Sequence, residues 1–107
     1  MKGLRVAALL TASALPAATS MAEEIPVTMA GMAYAPATIA AKIGDNLALS
    51  NDDSEDHNVF VATVGHAVDL GTQKPGEARK LALAKAGRFE VECVIHPEMK
   101  AIVEVQQ

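Results

Sequence analysis

Arg88-Phe89-Glu90-Val91-Glu92-Cys93 alternates charged and uncharged side chains up to its closing thiol. A period of two over six residues marks a β-strand with one face in a core and the other in water. Phe89, Val91 and Cys93 share the core face, so the chain's single cysteine points inward at the strand's end. Lys85-Ala86-Gly87 supplies the turn before it. The segment Cys93-Val94-Ile95-His96-Pro97-Glu98-Met99 follows directly. Ala101, Val103 and Val105 then repeat the alternation in a last strand.

The same grammar runs upstream. Ile25 to Met29 alternates as a first strand, and Met32-Ala33-Tyr34-Ala35-Pro36 runs into a second over Thr38 to Lys42. Gly44-Asp45-Asn46 is a turn, with glycine free to take a positive φ. Leu47 and Leu49 alternate with Ala48 and Ser50 before a second turn at Asn51-Asp52-Asp53-Ser54. His57 to Ala62 carries the β-branched and aromatic residues of a buried strand. Val64 to Gly71 is less regular, Thr72 to Glu77 reads as a loop, and Arg79 to Leu83 as a short strand, with one helical turn over Leu81 to Ala86 as the alternative. Short strands with a turn every eight to twelve residues indicate an all-β sandwich.

The first 22 residues stand apart. Lys2 and Arg5 precede the mostly apolar run Val6 to Leu15, and Ser20-Met21-Ala22 ends in small residues at the positions an export peptidase reads. That pattern predicts an export signal over 1–22, cut after Ala22, and a domain over 23–107. The run is too short to span a membrane, which takes about 20 apolar residues. Export leaves 85 residues, enough for one domain and near the size at which a core needs a metal, a disulfide or a partner. A lone cysteine excludes an internal disulfide, and in an oxidising compartment it asks to be held by something. The shortened chain carries seven Lys+Arg against thirteen Asp+Glu, a net charge of −6. Such a surface argues against nucleic acid and suits a basic protein partner. Asp52, Asp53, Glu55 and Asp56, just ahead of His57, read either as a solvated loop or as a steering patch.

Cys93, His96 and Met99 fall within seven residues, and His57 opens a strand 36 positions upstream. If the two strands are neighbours, their spacing of about 4.8 Å lets His57 meet the other three. One thiolate, two imidazoles and a weak thioether form the donor set of a mononuclear blue-copper electron-transfer site. The thiolate is the soft, strong donor; the imidazoles suit both Cu(I) and Cu(II); the thioether favours Cu(I) and raises the potential. Val59, Val61, Phe89 and Val91 can supply a dry shell, and Asn58 can bond the thiolate or the ligand loop. Zinc also accepts two imidazoles and a thiolate, but it cannot exchange electrons and would leave Met99 without a role. His66, among Val64, Gly65, Ala67 and Val68, reads as a loop histidine outside the cluster.

These segments resemble the small blue copper proteins, the cupredoxins of the plastocyanin/azurin family, over nearly all of residues 25–105. Met32 to Ile39 looks like the family's aromatic-x-Pro lead-in, Ile43-Gly44-Asp45-Asn46-Leu47 like its Gly-Asp turn, and Asp56-His57-Asn58-Val59 like its first-ligand segment. Gly87 to Cys93 looks like the approach to its ligand loop. The loop from Cys93 to Met99, with Pro97 after the histidine, has the length of the amicyanin type. Val91 stands where the family often has tyrosine, Val94-Ile95 where a polar-proline pair is common, and Glu98 where amicyanins have phenylalanine.

The resemblance implies a Greek-key, cupredoxin-like β-sandwich of seven or eight strands holding one copper ion at His57, Cys93, His96 and Met99. It implies a periplasmic electron carrier, not an enzyme. The donor would be a dehydrogenase or cytochrome and the acceptor a c-type cytochrome or oxidase, each met transiently. His96 would be the electron's doorway, Asn58 a tie between the ligand segments, and Pro97 a stiffener of the loop. The alternative is a copper chaperone or storage protein enlisting Met29, Met32 and His66 as extra ligands.

Overall fold

The computed structural model describes residues 21–107. Most of the expected leader, residues 1–20, lies outside them. Nine strands follow one another: β1 (Glu24–Ala30), β2 (Ala33–Ala35), β3 (Thr38–Lys42), β4 (Asn46–Asn51), β5 (His57–Val61), β6 (Val68–Gln73), β7 (Ala78–Ala82), β8 (Gly87–Glu92) and β9 (Lys100–Gln106). One sheet has the order β2-β1-β4-β7 and the other β3-β9-β8-β5-β6. The chain crosses between sheets repeatedly, and parallel pairs β1–β4 and β3–β9 sit among antiparallel ones. This is the all-β, Greek-key cupredoxin-like sandwich expected, with nine strands rather than seven or eight.

The extra strands have local causes. β2 is only three residues long and pairs back on β1 through a two-residue turn, Gly31 and Met32, both at positive φ. Positive φ at both central positions is the turn geometry that matches strand twist. β6 occupies the stretch read as irregular, and Thr72 and Gln73 belong to it instead of to a loop. Its alternation is interrupted because Val59 pairs with Gly71 but Phe60 with Asp69, leaving Leu70 as an extra residue. Gly71 takes φ +76° there, and the Leu70 carbonyl accepts a bond from the Arg79 guanidinium. Leu81 to Ala86 forms no helix; its first two residues end β7.

Inward residues of both sheets form a single core, including Val27, Leu47 and Leu49 from one and Val59, Val91 and Val103 from the other. β8 shows the expected alternation, with Phe89, Val91 and Cys93 buried between more exposed neighbours.

The end away from the ligand loop is closed by Asp45, only 2% exposed. Its carboxylate accepts from the Glu23 amide (2.9 Å), the Lys42 amide (3.0 Å) and the Lys42 ammonium (3.2 Å). Those donors satisfy a charge that would be costly to bury unpaired, and they pin the start of β1 to the end of β3. The Glu23 amide first, then the Lys42 amide, hold the Asp45 carboxyl below the usual carboxylate range, against its desolvation.

Candidate metal centre

β5 and β8 are neighbours, as the meeting of His57 with Cys93 requires, but their registered pairing is brief: Phe60 opposite Glu92. Beyond that pair, side chains take over from the backbone. The Asn58 amide donates to Cys93 Sγ at 3.5 Å, and Asn58 Oδ1 accepts the Val94 amide at 2.7 Å. Asn58 therefore ties the two segments, its backbone donating to the sulfur as expected and its side chain accepting from the loop instead of donating to it. Its carbonyl accepts the Tyr34 hydroxyl at 2.6 Å, a bond reaching across from the other sheet. Burial, then the negative charges of Cys93 and Glu92, push the Tyr34 phenol well above its ordinary range.

The loop after β8 is closed on itself. The Cys93 amide donates to the Met99 carbonyl (3.3 Å) and the Met99 amide to the His96 carbonyl (2.9 Å). This double tie turns the seven-residue segment back on itself and carries Met99 into the core, where it is 1% exposed. Cys93 is 1% and His57 0% exposed, while the His96 side chain keeps 16% of its surface in solvent. Val94 (64%) and Ile95 (49%) project beside it.

Three ligand atoms converge: those of His57, Cys93 and His96 all lie within 4.8 Å of one another. His57 Nδ1 is 3.1 Å from His96 Nδ1, and Cys93 Sγ is 3.7 Å from the same His96 nitrogen. Imidazole and thiolate donors about 2.0–2.3 Å from one first-row ion stand roughly 3.1–3.8 Å apart when separated by about 100–120°. The 3.1 and 3.7 Å spacings fit that range. The cluster therefore suits one metal ion with N, N and S donors, the set that copper takes in blue-copper centres.

Asp53 completes the surroundings of His57 in a way its sequence did not announce. Its Oδ2 lies 2.9 Å from His57 Nε2, on the side of the ring away from His96. Oδ2 also accepts the Gly31 amide (3.1 Å) and Oδ1 the Ser54 amide (2.8 Å). The bond from His57, then that from Ser54, hold the Asp53 carboxyl below the usual carboxylate range. Nothing in the run of four acidic residues distinguished this one; only the fold turns it inward. Glu55 stays outside, its carboxylate 3.8 Å from His96 Nε2.

Other expectations sort themselves by distance. Val59, Val61 and Val91 are buried around the strands that carry the site. Phe89 lies four residues, or about 13 Å, back along β8 from Cys93. It stacks there on His66, ring centroids 5.0 Å apart, so it belongs to the core's far end and not to the metal's shell. His66 is accordingly outside the cluster. Met29 is fully buried in the core and Met32 packs against it.

Comparison with known proteins agrees with this geometry. Residues 3–105 match the family model described as a cupredoxin-like domain. The chain is 33% identical over 97 residues to methylamine utilization protein MauL of Methylorubrum extorquens, covering 90% of this chain and 82% of that one. It is 35% identical over 85 residues to amicyanin of Paracoccus denitrificans, covering 77% of this chain and 65% of that one. A solved structure of a reduced amicyanin variant superposes with a TM-score of 0.72 at 29% identity, over 78% of this chain and 82% of the other.

Proposed function

The chain belongs to the cupredoxin-like domain family, and on that premise we propose that it is a periplasmic one-electron carrier using a single copper held by His57, Cys93, His96 and Met99. A bound copper supplies a Cu(I)/Cu(II) couple. Everything else is the work of the chain. Cys93 gives the strong soft donor, with the Asn58 amide on its sulfur to temper the charge. His57 and His96 give nitrogens acceptable to both oxidation states. Met99, enclosed in the core, gives the weak fourth sulfur.

The observation that carries the reading is the convergence of His57, Cys93 and His96 within 4.8 Å. A frame fixed by the Asn58–Val94 and Cys93–Met99 bonds resists rearrangement when the charge changes. Low rearrangement is what a carrier needs. The protein is a carrier and not a catalyst, since a copper that took all four of these donors would have no position left for a substrate.

His96 is the way in and out, since its ring is the one ligand ring that reaches solvent. Val94 and Ile95 offer a small apolar contact around it, and Glu55 and Glu98 give that contact a negative rim. Such a face suits brief encounters with basic redox proteins, a dehydrogenase or cytochrome as donor and a c-type cytochrome or oxidase as acceptor. Delivery to the periplasm follows from a leader over 1–22, removed after Ala22. The rival reading, a copper chaperone or storage protein, would enlist Met29, Met32 and His66. Met29 is wholly buried and His66 is stacked on Phe89 at the other end, so those residues offer no second cluster.

The test is spectroscopic. Copper-loaded protein should show intense visible absorption and a reversible one-electron couple, and Cys93→Ser should abolish the absorption. A variant lacking the thiol yet keeping the parent's spectrum would reject the ligand set. Uptake of several coppers without redox cycling would favour storage.

A further inference from the structure

We propose that Asp53 is the positioning residue of the metal centre: it fixes the buried imidazole of His57 in one tautomer and one orientation and anchors it to the β1–β2 turn. The inference rests on the reading of His57 as a ligand. His57 has no exposed surface, so water cannot replace whatever its second nitrogen bonds. That nitrogen, Nε2, meets Asp53 Oδ2 at 2.9 Å. An ionised carboxylate only accepts. Nε2 must therefore carry the proton, and in the neutral ring Nδ1 is left with the lone pair, aimed at His96 and the site.

Asp53 is itself held from three sides. Gly31 and Ser54 donate to its carboxylate, and its own amide donates to Asn51 Oδ1 at 2.9 Å. Asn51 is fully buried and spends its side-chain nitrogen on the Glu55 and Gln73 carbonyls, at 2.8 and 2.9 Å. The Asp52 amide bonds the Met29 carbonyl at 3.0 Å, laying the loop across the end of β1. On the far side, the Gly31 donor sits in a turn where Met32, not a glycine, takes φ +63°. A methionine in that conformation persists where its surroundings dictate it. The turn, the loop and the ligand are thus one hydrogen-bonded unit, with Asp53 at its centre.

A charged acceptor behind a metal-binding imidazole raises the basicity of the other nitrogen. A more basic nitrogen favours the more highly charged oxidation state. Asp53 should therefore lower the reduction potential, and partners of this kind typically change metal affinity by about 10–100-fold. Asp53→Asn keeps an acceptor but removes the charge. If it weakens Cu(II) about tenfold relative to Cu(I), the potential rises by about 59 mV.

Two measurements decide. Nitrogen-15 NMR of the metal-free parent should show His57 as a single tautomer protonated at Nε2, with a slowly exchanging ring proton. Voltammetry of the copper-loaded proteins should show the rise in Asp53→Asn and a much smaller one in Asp56→Asn, which removes an equal charge from an exposed neighbour. An Nδ1-protonated or mixed tautomer in the parent would overturn the proposal whether or not any variant folds. Equal shifts in the two variants, or none in Asp53→Asn, would also overturn it, reducing Asp53 to one more charge in a solvated loop. A parent with no blue absorption would instead defeat the carrier reading and leave the tautomer result standing by itself.

Discussion

Replacing Asn58 by alanine should loosen the loop that carries three of the four proposed ligands while leaving the sulfur's own hydrogen bond in place. Asn58 is 7% exposed, and its Oδ1 takes the Val94 amide at 2.7 Å where β5 and β8 have parted. The substitution removes that acceptor. The bond to Cys93 Sγ comes from the Asn58 backbone and survives. A lost hydrogen bond costs about 0.5–1.5 kcal/mol, and a buried amide left without a partner costs about 1–3 kcal/mol. Val94 is 64% exposed, so water has a path to the amide and the total belongs at the low end, about 1–2 kcal/mol. In a domain of this size each kcal/mol moves the midpoint by about 4–8 °C, so Tm should fall by roughly 5–15 °C. Thermal unfolding of the metal-free protein, followed by circular dichroism, reads this without any contribution from metal binding. A midpoint within about 2 °C of the parent would refute the view that Asn58 is the tie between the two ligand segments.

Acid should also act at the opposite pole, through Asp45. The folded Asp45 carboxyl lies below its unfolded value, so its stabilising contribution is complete above about pH 4 and fades as pH falls through the folded value. Denaturant midpoints measured down that range should decline, and Asp45→Asn should decline less steeply. Gly87→Ala should cost more than about 1 kcal/mol, because Gly87 sits at φ +135° and a Cβ there would lie 2.8 Å from His66 Nε2. Adding His66→Ala should recover the part due to the clash and leave the part due to the backbone, as urea titrations of the three variants would show. His96→Gly should open the centre to external imidazole, since His96 is the proposed ligand whose ring reaches the surface; a spectrum indifferent to added imidazole would argue against His96 as a ligand at the edge of the site.

Most of the architecture was legible because period-two patterning reports a half-buried strand directly. Phe89, Val91 and Cys93 on one face and the Arg88-Glu90-Glu92 face opposite could hardly be read otherwise. The gathering of His57, Cys93 and His96 was legible for a different reason: metal chemistry admits few donor sets, and three donors lay in one short loop. β6 was not legible, because the bulge at Leu70 and Gly71 breaks the alternation on which the reading depends. β2 merged with β3 because no glycine marks the point where Tyr34-Ala35-Pro36 passes between sheets. Asp53 was invisible in principle. Four acidic residues in five positions look alike on paper, and only the meeting of the 52–53 loop with the β1–β2 turn singles one out.

The brevity of the β5–β8 pairing has a consequence for how such a protein can change over generations. Glu92 and Lys100 face each other across β8 and β9, so the stretch between them is an insert whose two ends are clamped in the same sheet. Inserts of other lengths can be fitted to that clamp with the sandwich untouched, whereas His57 is built into β5 and cannot be exchanged so cheaply. Novelty in potential or partner therefore has a natural address in residues 93–99, and conservatism has one in the strand opposite.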